Sequence, residues 1–521
     1  MIKAEELAKK QREISIAEFF TKNRHLLGFD KPTRALLMAV KEACDNSLDA
    51  CDETNVLPEI YIELKKISEE RFVVVVEDNG PGILKQQIPN IFGKLLYGSK
   101  FHTLIQNRGQ QGIGISAVVL YSQLTTGKPI KVISKISANK PAYYYEIQID
   151  TQKNEPKILR EEQREWKREH GTRVEVELDG KYQKGRQSVD EYIKETAIAN
   201  PHAEFIYIDP NKEKVVYKRV LNEFPKKPKE IRPHPYGIEF GTLLWMLGKT
   251  SARSVQAFFI NDFSSVGAGT AKEICERAKL NSGKKPRQIN HQEAEALLKA
   301  IKETKIRAPP TDCLSPITAE VLEKSLKKEF NADFYTTVSR SPSVYRGFPF
   351  IIEVGLVYNG ELPKEETAKL LRFANRVPLL FQQGACAINE AVLDTNWKPY
   401  GMQQSGQNLP VGPLVILVHL CSVWPPFTSE AKDALAHYDE IIKEIKLALQ
   451  EAGRELGLWI RKNIKAKEQQ DRVNLFEKYI PELANSLENL TNKKSNKIQD
   501  DLNKILKKGL KDLMENGETK K

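Results

Sequence analysis

Residues 33–53 read TRALLMAVKEACDNSLDACDE, and this stretch decides what kind of fold follows. With successive residues turned by about 100° on a helix, Leu36, Leu37, Val40, Cys44, Leu48 and Cys51 fall on one stripe. Glu42, Asn46 and Asp49 gather on the opposite face. The spacing predicts an amphipathic helix. A polar face of this kind is ordinarily solvated, and only the segments downstream argue that this one is put to use.

Next comes RFVVVVEDNGPGI, residues 71–83, which reads as a buried strand over 72–77 ending in a turn. Asp78 caps that strand, and Gly80 and Gly82 let the backbone pass closely around a ligand. The stretch LYGSKFHTLIQNRGQQGIGISAVVLYSQL, residues 96–124, is a polar, glycine-rich loop running into an apolar helix. Gly109, Gly112 and Gly114 would let backbone N–H groups close on phosphates at the positive end of that helix. The phosphate loop GxxxxGK[ST] is absent, and GIGISA, though it matches G-x-G-x-x-A, follows a polar loop rather than a strand and lacks an acidic residue closing a next strand, which argues against a dinucleotide site.

Strand-rich sequence returns in PIKVISKIS, AYYYEIQID and GTRVEVEL. Helices first and strands after suggest a multidomain α+β layer architecture. The stretch NEFPKKPKEIRPHPYG, residues 222–237, sets four prolines among basic residues and should be an extended linker unable to join a sheet. Residues 251–280 read as short helices around a Gly-containing turn. Beyond about residue 308, FPFIIEVGLVY, KEETAKLLRFANRV and PLVILVHLCSVW read as strand, helix and strand with a right-handed crossover. A long helix is expected from about Ser429, and a basic, helix-like tail from Lys467.

The chain has 521 residues, too many for one hydrophobic core, since cores stop growing near ~300 residues. With 40% apolar and 29% charged residues it has the make-up of a globular protein, and its net charge of +11 favours a polyanionic partner. Six cysteines lie without CxxC pairing or zinc spacing and are expected to be reduced core thiols. No apolar run reaches the ~18 residues of a bilayer span and the N-terminus does not read as a signal peptide, so no membrane partner and a cytoplasmic location are expected.

Taken in order, EACDNSLDA, DNGPG, RGQQGIG and HGT resemble the four boxes of the GHKL ATPase superfamily, shared by gyrase, MutL, the heat-shock chaperone and histidine kinases. The resemblance implies a Bergerat fold, an α/β sandwich whose lid covers ATP. It implies Glu42 as the base that activates water, Asn46 as the ligand of Mg2+, and Asp78 as acceptor for the adenine amino group. Ser99, Lys100 and the span Arg108, Gly109, Gln110, Gln111, Gly112, Ile113, Gly114 and Ile115 would form lid and phosphate cradle, with Thr172 of HGT beside Asp78. These roles agree with elementary chemistry: a carboxylate can take a proton from water, and an amide oxygen ligates hard Mg2+ without adding charge. Phosphoryl transfer also needs a cation at the γ-phosphate. Lys100 and Arg108 are candidates, but Lys432 in WPPFTSEAKDAL is the better one. It should lie in a helix's first turn, where the dipole disfavours a cation unless an anion approaches. It resembles the switch lysine of a transducer domain.

Finer matches, EACDNSLDACDE, LLYGSKFH, GIGISAVVLYSQLTTGKP and RPHPYG, resemble the topoisomerase VI B-subunit family over about residues 14–465. That resemblance implies a strap at 1–20, an ATPase domain at 21–228, a helix-two-turns-helix module at 229–307 around FSSVGAGTAKEI, a transducer at 308–466, and a tail at 467–521. It implies ATP-driven self-dimerisation, double-stranded DNA as the captured substrate, and an A2B2 heterotetramer with the topoisomerase VI A subunit, which cuts the strand. A chaperone would carry an acidic linker and MutL a different C-terminal domain. A histidine kinase needs a phosphoacceptor helix, whereas only His25 precedes the core. A decayed, non-catalytic pocket is argued against by Glu42.

Overall fold

The computed structural model describes residues 14–100, 103–109, 112–491 and 494–518. It divides into two compact units, Met1–Asn396 with Gln404–Ala452, and Trp397–Gln403 with Gly453–Lys521. The first thirteen residues of the expected strap, and Gln110 and Gln111 of the expected cradle, lie outside the described residues.

The larger unit begins with helix α1 (Ile16–Lys22), capped by Ser15, and helix α2 (Pro32–Thr54). Pro32 suits the first turn of α2, where its missing N–H is not needed. Strands β1 (Glu59–Ser68), β2 (Arg71–Glu77), β3 (Ile130–Lys135), β4 (Ala142–Asp150), β5 (Glu155–Arg164), β6 (Gly171–Asp179), β7 (Glu204–Ile208) and β8 (Lys214–Tyr217) form one sheet, ordered β5-β4-β3-β6-β2-β1-β7-β8. Every pairing is antiparallel except β1 with β7.

Between β2 and β3 the chain forms α3 (Ile88–Gly93) and α4 (Gly114–Thr126), and α5 (Val189–Ala199) follows β6. The apolar stripe of α2 packs against Ile62, Val74 and Val76 of the sheet and Val118 of α4 in one core. Each such side chain contributes roughly 1.5–3 kcal/mol on burial. This core fixes α2 with its polar face turned away from the sheet.

The proline-rich linker is mostly irregular, as its composition predicts, but Ile231 N–H donates to Leu104 O at 2.9 Å in an isolated bridge. Helices α6 (Phe240–Lys249), α7 (Val255–Asp262), α8 (Ala268–Arg277) and α9 (His291–Glu303) then enclose a separate core built on Phe258, Phe259 and Phe263.

Past α10 (Ala319–Glu329) a second sheet forms from β9 (Phe334–Ser339), β10 (Ser343–Tyr345), β11 (Phe348–Tyr358), β12 (Lys369–Ala374), β13 (Val377–Pro378) and β14 (Leu414–Ser422). Here the expected helix over KEETAKLLRFANRV is wrong: the stretch holds β12 and β13. Leu371, Arg372, Phe373 and Ala374 are all buried, and Lys369–Ala374 pairs in parallel with Val415–Leu420, so pairing inside the sheet overrides helix propensity. The crossover accordingly links β12 to β14 through α11 (Ala387–Leu393), while β11 and β14 are antiparallel.

A second correction concerns Lys432. The helix expected from Ser429 begins at Asp439, as α12 (Asp439–Thr491). Residues 427–435 form a loop instead, closed by a Phe427–Leu435 bridge and by Thr428 N–H on Ala434 O at 3.0 Å. Lys432 itself has φ +56°, which no helix accommodates. Asp439 and Glu440 occupy the true first turn, where the dipole favours acids.

In the smaller unit, Gly453 lets the helix approach Tyr400, since an added Cβ would stand 2.6 Å from that ring. A final helix, α13, spans Ser495–Glu518. No helix among the described residues is long and apolar enough to cross a membrane. All six cysteines are free and buried.

Candidate active site

The polar face of α2 is not solvated. A cavity of about 270 Å³, near the lower edge of small-ligand pockets, opens over Glu42 and Asn46 and extends to Asp78 and Thr172 on the sheet. Ser99, Lys100, Gly109, Gly112 and Ile113 line it from the loop before α4, Gly114 and Ile115 from the first turn of α4, and Lys432 from the second sheet's domain. Two residues distant in sequence, Glu42 and Lys432, therefore face one space.

At the deep end, Asp78 is buried at the end of β2. Its Oδ1 accepts from Gly80 N–H at 2.9 Å and Thr172 N–H at 3.0 Å, and its Oδ2 accepts from Ser47 Oγ at 2.8 Å. Oδ2 thus keeps an acceptor position for a ligand. Burial raises the Asp78 carboxyl above the usual range, with the three donors acting against it. Gly82 and Gly171 make the floor possible: each has positive φ, and a Cβ there would stand 2.1 Å from Lys135 O or 2.2 Å from Asp78 O.

At the other end, Glu42 is only 8% exposed. Its Oε1 lies 3.2 Å from Lys41 Nζ. Burial disfavours its charge, yet Lys41 and Lys432 together hold the carboxyl below the ordinary glutamate range, so it is ionised near neutrality. Gly114 starts α4 against it: a Cβ there would come within 1.8 Å of Glu42 Oε2. Asn46 is exposed to the cavity one turn further along, and its amide has no protein partner among the described residues.

Lys432 is 8% exposed, with Nζ 3.8 Å from Asp45 Oδ2; a Cβ on Gly109 would stand 3.9 Å from that ammonium. Burial, followed by repulsion from Lys41, holds Lys432 below the usual lysine range. The loop is anchored by the next residue, Asp433, whose Oδ2 pairs with Arg34 of α2 at 2.5 Å.

Of the other proposed cations, Lys100 pairs with Asp49 and Glu53, each at 2.8 Å. Arg108 does not line this cavity; its guanidinium is turned into Asp49 at 2.9 Å, Asp52 at 2.8 Å and Asn200 at 2.5 Å.

Sequence reading missed four contributors. Lys41 and Asp45 form a buried pair at 3.1 Å, signalled only by their i, i+4 spacing, and Tyr192 OH donates to Asp45 Oδ1 at 3.0 Å. Arg34 carried no signal, because its partner Asp433 is remote in sequence.

This arrangement combines an ionised carboxylate, a free amide, a glycine-lined helix N-terminus and a buried ammonium, a set suited to a polyanion with one end recognised by hydrogen bonding. Comparison with known proteins places it. The family model for histidine kinase-, DNA gyrase B- and HSP90-like ATPases matches residues 32–181, and that for the topoisomerase VI B subunit transducer matches residues 309–472. The chain is 51% identical over 485 residues, 93% of its length and 78% of the relative's, to the type 2 DNA topoisomerase 6 B subunit of Methanococcoides burtonii. Identity is 47% over 476 residues with the same-named protein of Archaeoglobus fulgidus, covering 91% and 79%. With that of Pyrococcus horikoshii it is 38% over 557 aligned positions, covering 97% of both chains. On its sequence and its two matched modules, the chain belongs to the family of type 2 DNA topoisomerase 6 B subunits.

Proposed function

We propose that the chain binds ATP with Mg2+ in the cavity over α2, hydrolyses it, and uses the cycle to gate duplex DNA for a strand-cleaving partner, the A subunit. The observation that carries this reading is the meeting of Glu42 and Lys432, one from each module, in a single cavity. Asp78 Oδ2 accepts the adenine amino group. Ser99, Lys100 and the segment from Gly109 to Ile115 hold the phosphates, with Gln110 and Gln111 assigned to the cradle on resemblance alone. Lys100 holds Asp49 and can exchange that partner for a phosphate. Arg108 acts at a distance, by fixing Asp49 and Asp52 behind the lid.

Asn46 fits Mg2+, since its exposed amide oxygen is otherwise unengaged. When bound, the metal neutralises charge across the phosphates. Glu42 takes the proton of the water that attacks the γ-phosphorus, the bond to the bridging oxygen breaks so that ADP leaves, and Lys432 compensates the charge on the transferred phosphoryl group. Because Lys432 belongs to a different module from Glu42, loss of the γ-phosphate removes the anion that Lys432 faces and can release the transducer.

We further propose, following the family, that two copies close on ATP with the N-terminal residues exchanged, that the assembly is A2B2, and that it works on cytoplasmic DNA. The limits 21–228, 229–307 and 308–466 are our working boundaries for the ATPase, helical and transducer parts.

The test is ATP hydrolysis with and without duplex DNA, on the chain mixed with its strand-cleaving partner, while relaxation of supercoiled plasmid is followed. DNA-stimulated hydrolysis with ATP-dependent relaxation is expected. Hydrolysis without relaxation, in a verified complex of the two proteins, would return the chain to repair-type or chaperone-type ATPases.

A further inference from the structure

Beside the first cavity lies a second, of about 240 Å³, and Ser99 and Lys100 line both. It has room for several waters at ~30 Å³ each. Its walls come from the end of α2, residues 103–108, the linker at 224–228, and the turn Asn375–Arg376 between β12 and β13.

Three side chains on these walls carry polar atoms without a partner among the described residues. Arg108 and Arg376 are 5% and 6% exposed, and the Nε–H of each is buried without an acceptor. Both amide atoms of Asn107 are buried and unpartnered as well. Buried polar groups are almost always satisfied; these orphaned atoms open onto no water-sized space themselves, so an occupant of the cavity would be met by side chains turning toward it.

Charge says which kind. Five cationic residues, Lys100, Arg108, Lys226, Lys227 and Arg376, face three acidic ones, Asp49, Asp52 and Glu53. The acids are already engaged: Lys100 holds Asp49 and Glu53, and Arg108 holds Asp49 and Asp52. Arg376 is different. Its Nη2 donates to Ser315 O, Ser315 Oγ and Pro316 O, and no carboxylate pairs with it among the described residues. A buried guanidinium that hydrogen-bonds only neutral acceptors, with Arg108 nearby and with Asp52 and Glu353 acting on it only at a distance, is weakly compensated.

The backbone adds a second argument. Asn375 and Arg376 have φ of +46° and +66°, the two left-handed positions of a tight hairpin whose second place normally falls to glycine. An arginine there is strained, and such strain is kept where the side chain is needed.

We propose that this second cavity binds a small tetrahedral oxyanion, inorganic phosphate, between Arg376 and Arg108, admitted past the exposed Lys226 and Lys227. The shared wall of Ser99 and Lys100 makes the first cavity its nearest source, so phosphate released there is the natural occupant. That origin rests on the function proposed above; the binding does not.

The experiment is equilibrium dialysis of radiolabelled inorganic phosphate against the full chain, with and without a saturating non-hydrolysable ATP analogue and Mg2+. One phosphate per chain is expected in both conditions. Arg376→Gln should weaken it about tenfold or more, the loss of one charge-assisted contact. The double change Lys226→Gln with Lys227→Gln, at exposed positions, should weaken it about threefold through lost steering charge. Should Arg376→Gln fail to melt cooperatively, the double variant decides alone. Phosphate that vanishes when the analogue is present, or that is lost in Lys432→Met and kept in Arg376→Gln, occupies the first cavity; this overturns the proposal and leaves the ATPase reading intact. Absence of binding, or equal binding by all variants, also overturns it. Binding with the expected variant pattern in a chain that never hydrolyses ATP upholds the site while refuting the function proposed above.

Discussion

Lys432 Nζ stands 3.8 Å from Asp45 Oδ2, the same oxygen that Lys41 Nζ approaches to 3.1 Å. Two ammonium groups therefore converge on one buried carboxylate, with Glu42 beside them. The unequal distances decide the outcome: Lys41 is held above the ordinary lysine range despite burial, whereas burial and Lys41 hold Lys432 below it. Lys432 is the under-compensated cation, and in the proposed function a phosphate is the partner it meets.

That imbalance has a sign. Lys432 has a lower pKa folded than unfolded, so it costs stability while the unfolded chain keeps it charged, and the cost fades as pH rises through its folded and then its ordinary value. Without nucleotide, Lys432→Met should raise Tm at pH 7 by about 2 °C, with a smaller gain at pH 10. A lowered Tm in differential scanning calorimetry would show that Asp45 compensates Lys432 fully.

The same shift predicts the pH dependence of catalysis. In kcat/KM, which reports the free enzyme, the alkaline limb should set in below the usual 10.5 of lysine, because Lys432 loses its proton early. Any acid limb should belong to Asp78, whose carboxyl burial raises, and not to Glu42, which stays ionised below the ordinary glutamate range. A falling rate between pH 6 and 5, on folded protein, that persists unchanged in Asp78→Asn would remove Glu42 as the base.

Glu42→Gln should lower the single-turnover hydrolysis rate by about 10²–10⁴-fold while ATP-analogue affinity changes little. Analogue binding lost in step with turnover would make Glu42 a binding residue.

Gly114 is predicted to be intolerant of any side chain, because a Cβ would come within 1.8 Å of Glu42 Oε2. Gly114→Ala should displace the carboxylate, cutting turnover about 100-fold and stability by about 1–3 kcal/mol. Wild-type turnover and melting together would show that α4 does not start against Glu42.

Arg34 should act as a positioning residue through Asp433, its partner at 2.5 Å. Arg34→Lys keeps the charge and should retain most activity, whereas Arg34→Ala should lower kcat for ATP about tenfold with ADP affinity unchanged. Equal losses in ATP and ADP binding would mean that the change is merely structural.

The layered fold was legible where apolar residues dominated: the stripe from Leu36 to Cys51 declares a helix, and the unbroken run from Phe72 to Val76 a strand buried in the sheet. KEETAKLLRFANRV was not, because helix-forming residues there are committed to a strand by β14, which lies far along the chain. Within that stretch, Asn375 and Arg376 were an overlooked hairpin signal. Lys432 was found but set on the wrong element, since nothing local in WPPFTSEAKDAL shows that Thr428 will bond Ala434. Glu42 was legible as part of a polar helix face and Asp78 as the end of a strand, whereas Glu430 was not, and Arg34–Asp433 exists only once the two modules meet.

The most direct test of the central claim, that Glu42 and Lys432 serve one phosphoryl group from two modules, is the ATP turnover of Lys432→Met with its ADP affinity measured alongside. A loss of about 10³-fold in turnover at unchanged ADP affinity is predicted, the scale of an essential cation in phosphoryl transfer. Turnover within twofold of the wild type would contradict the account.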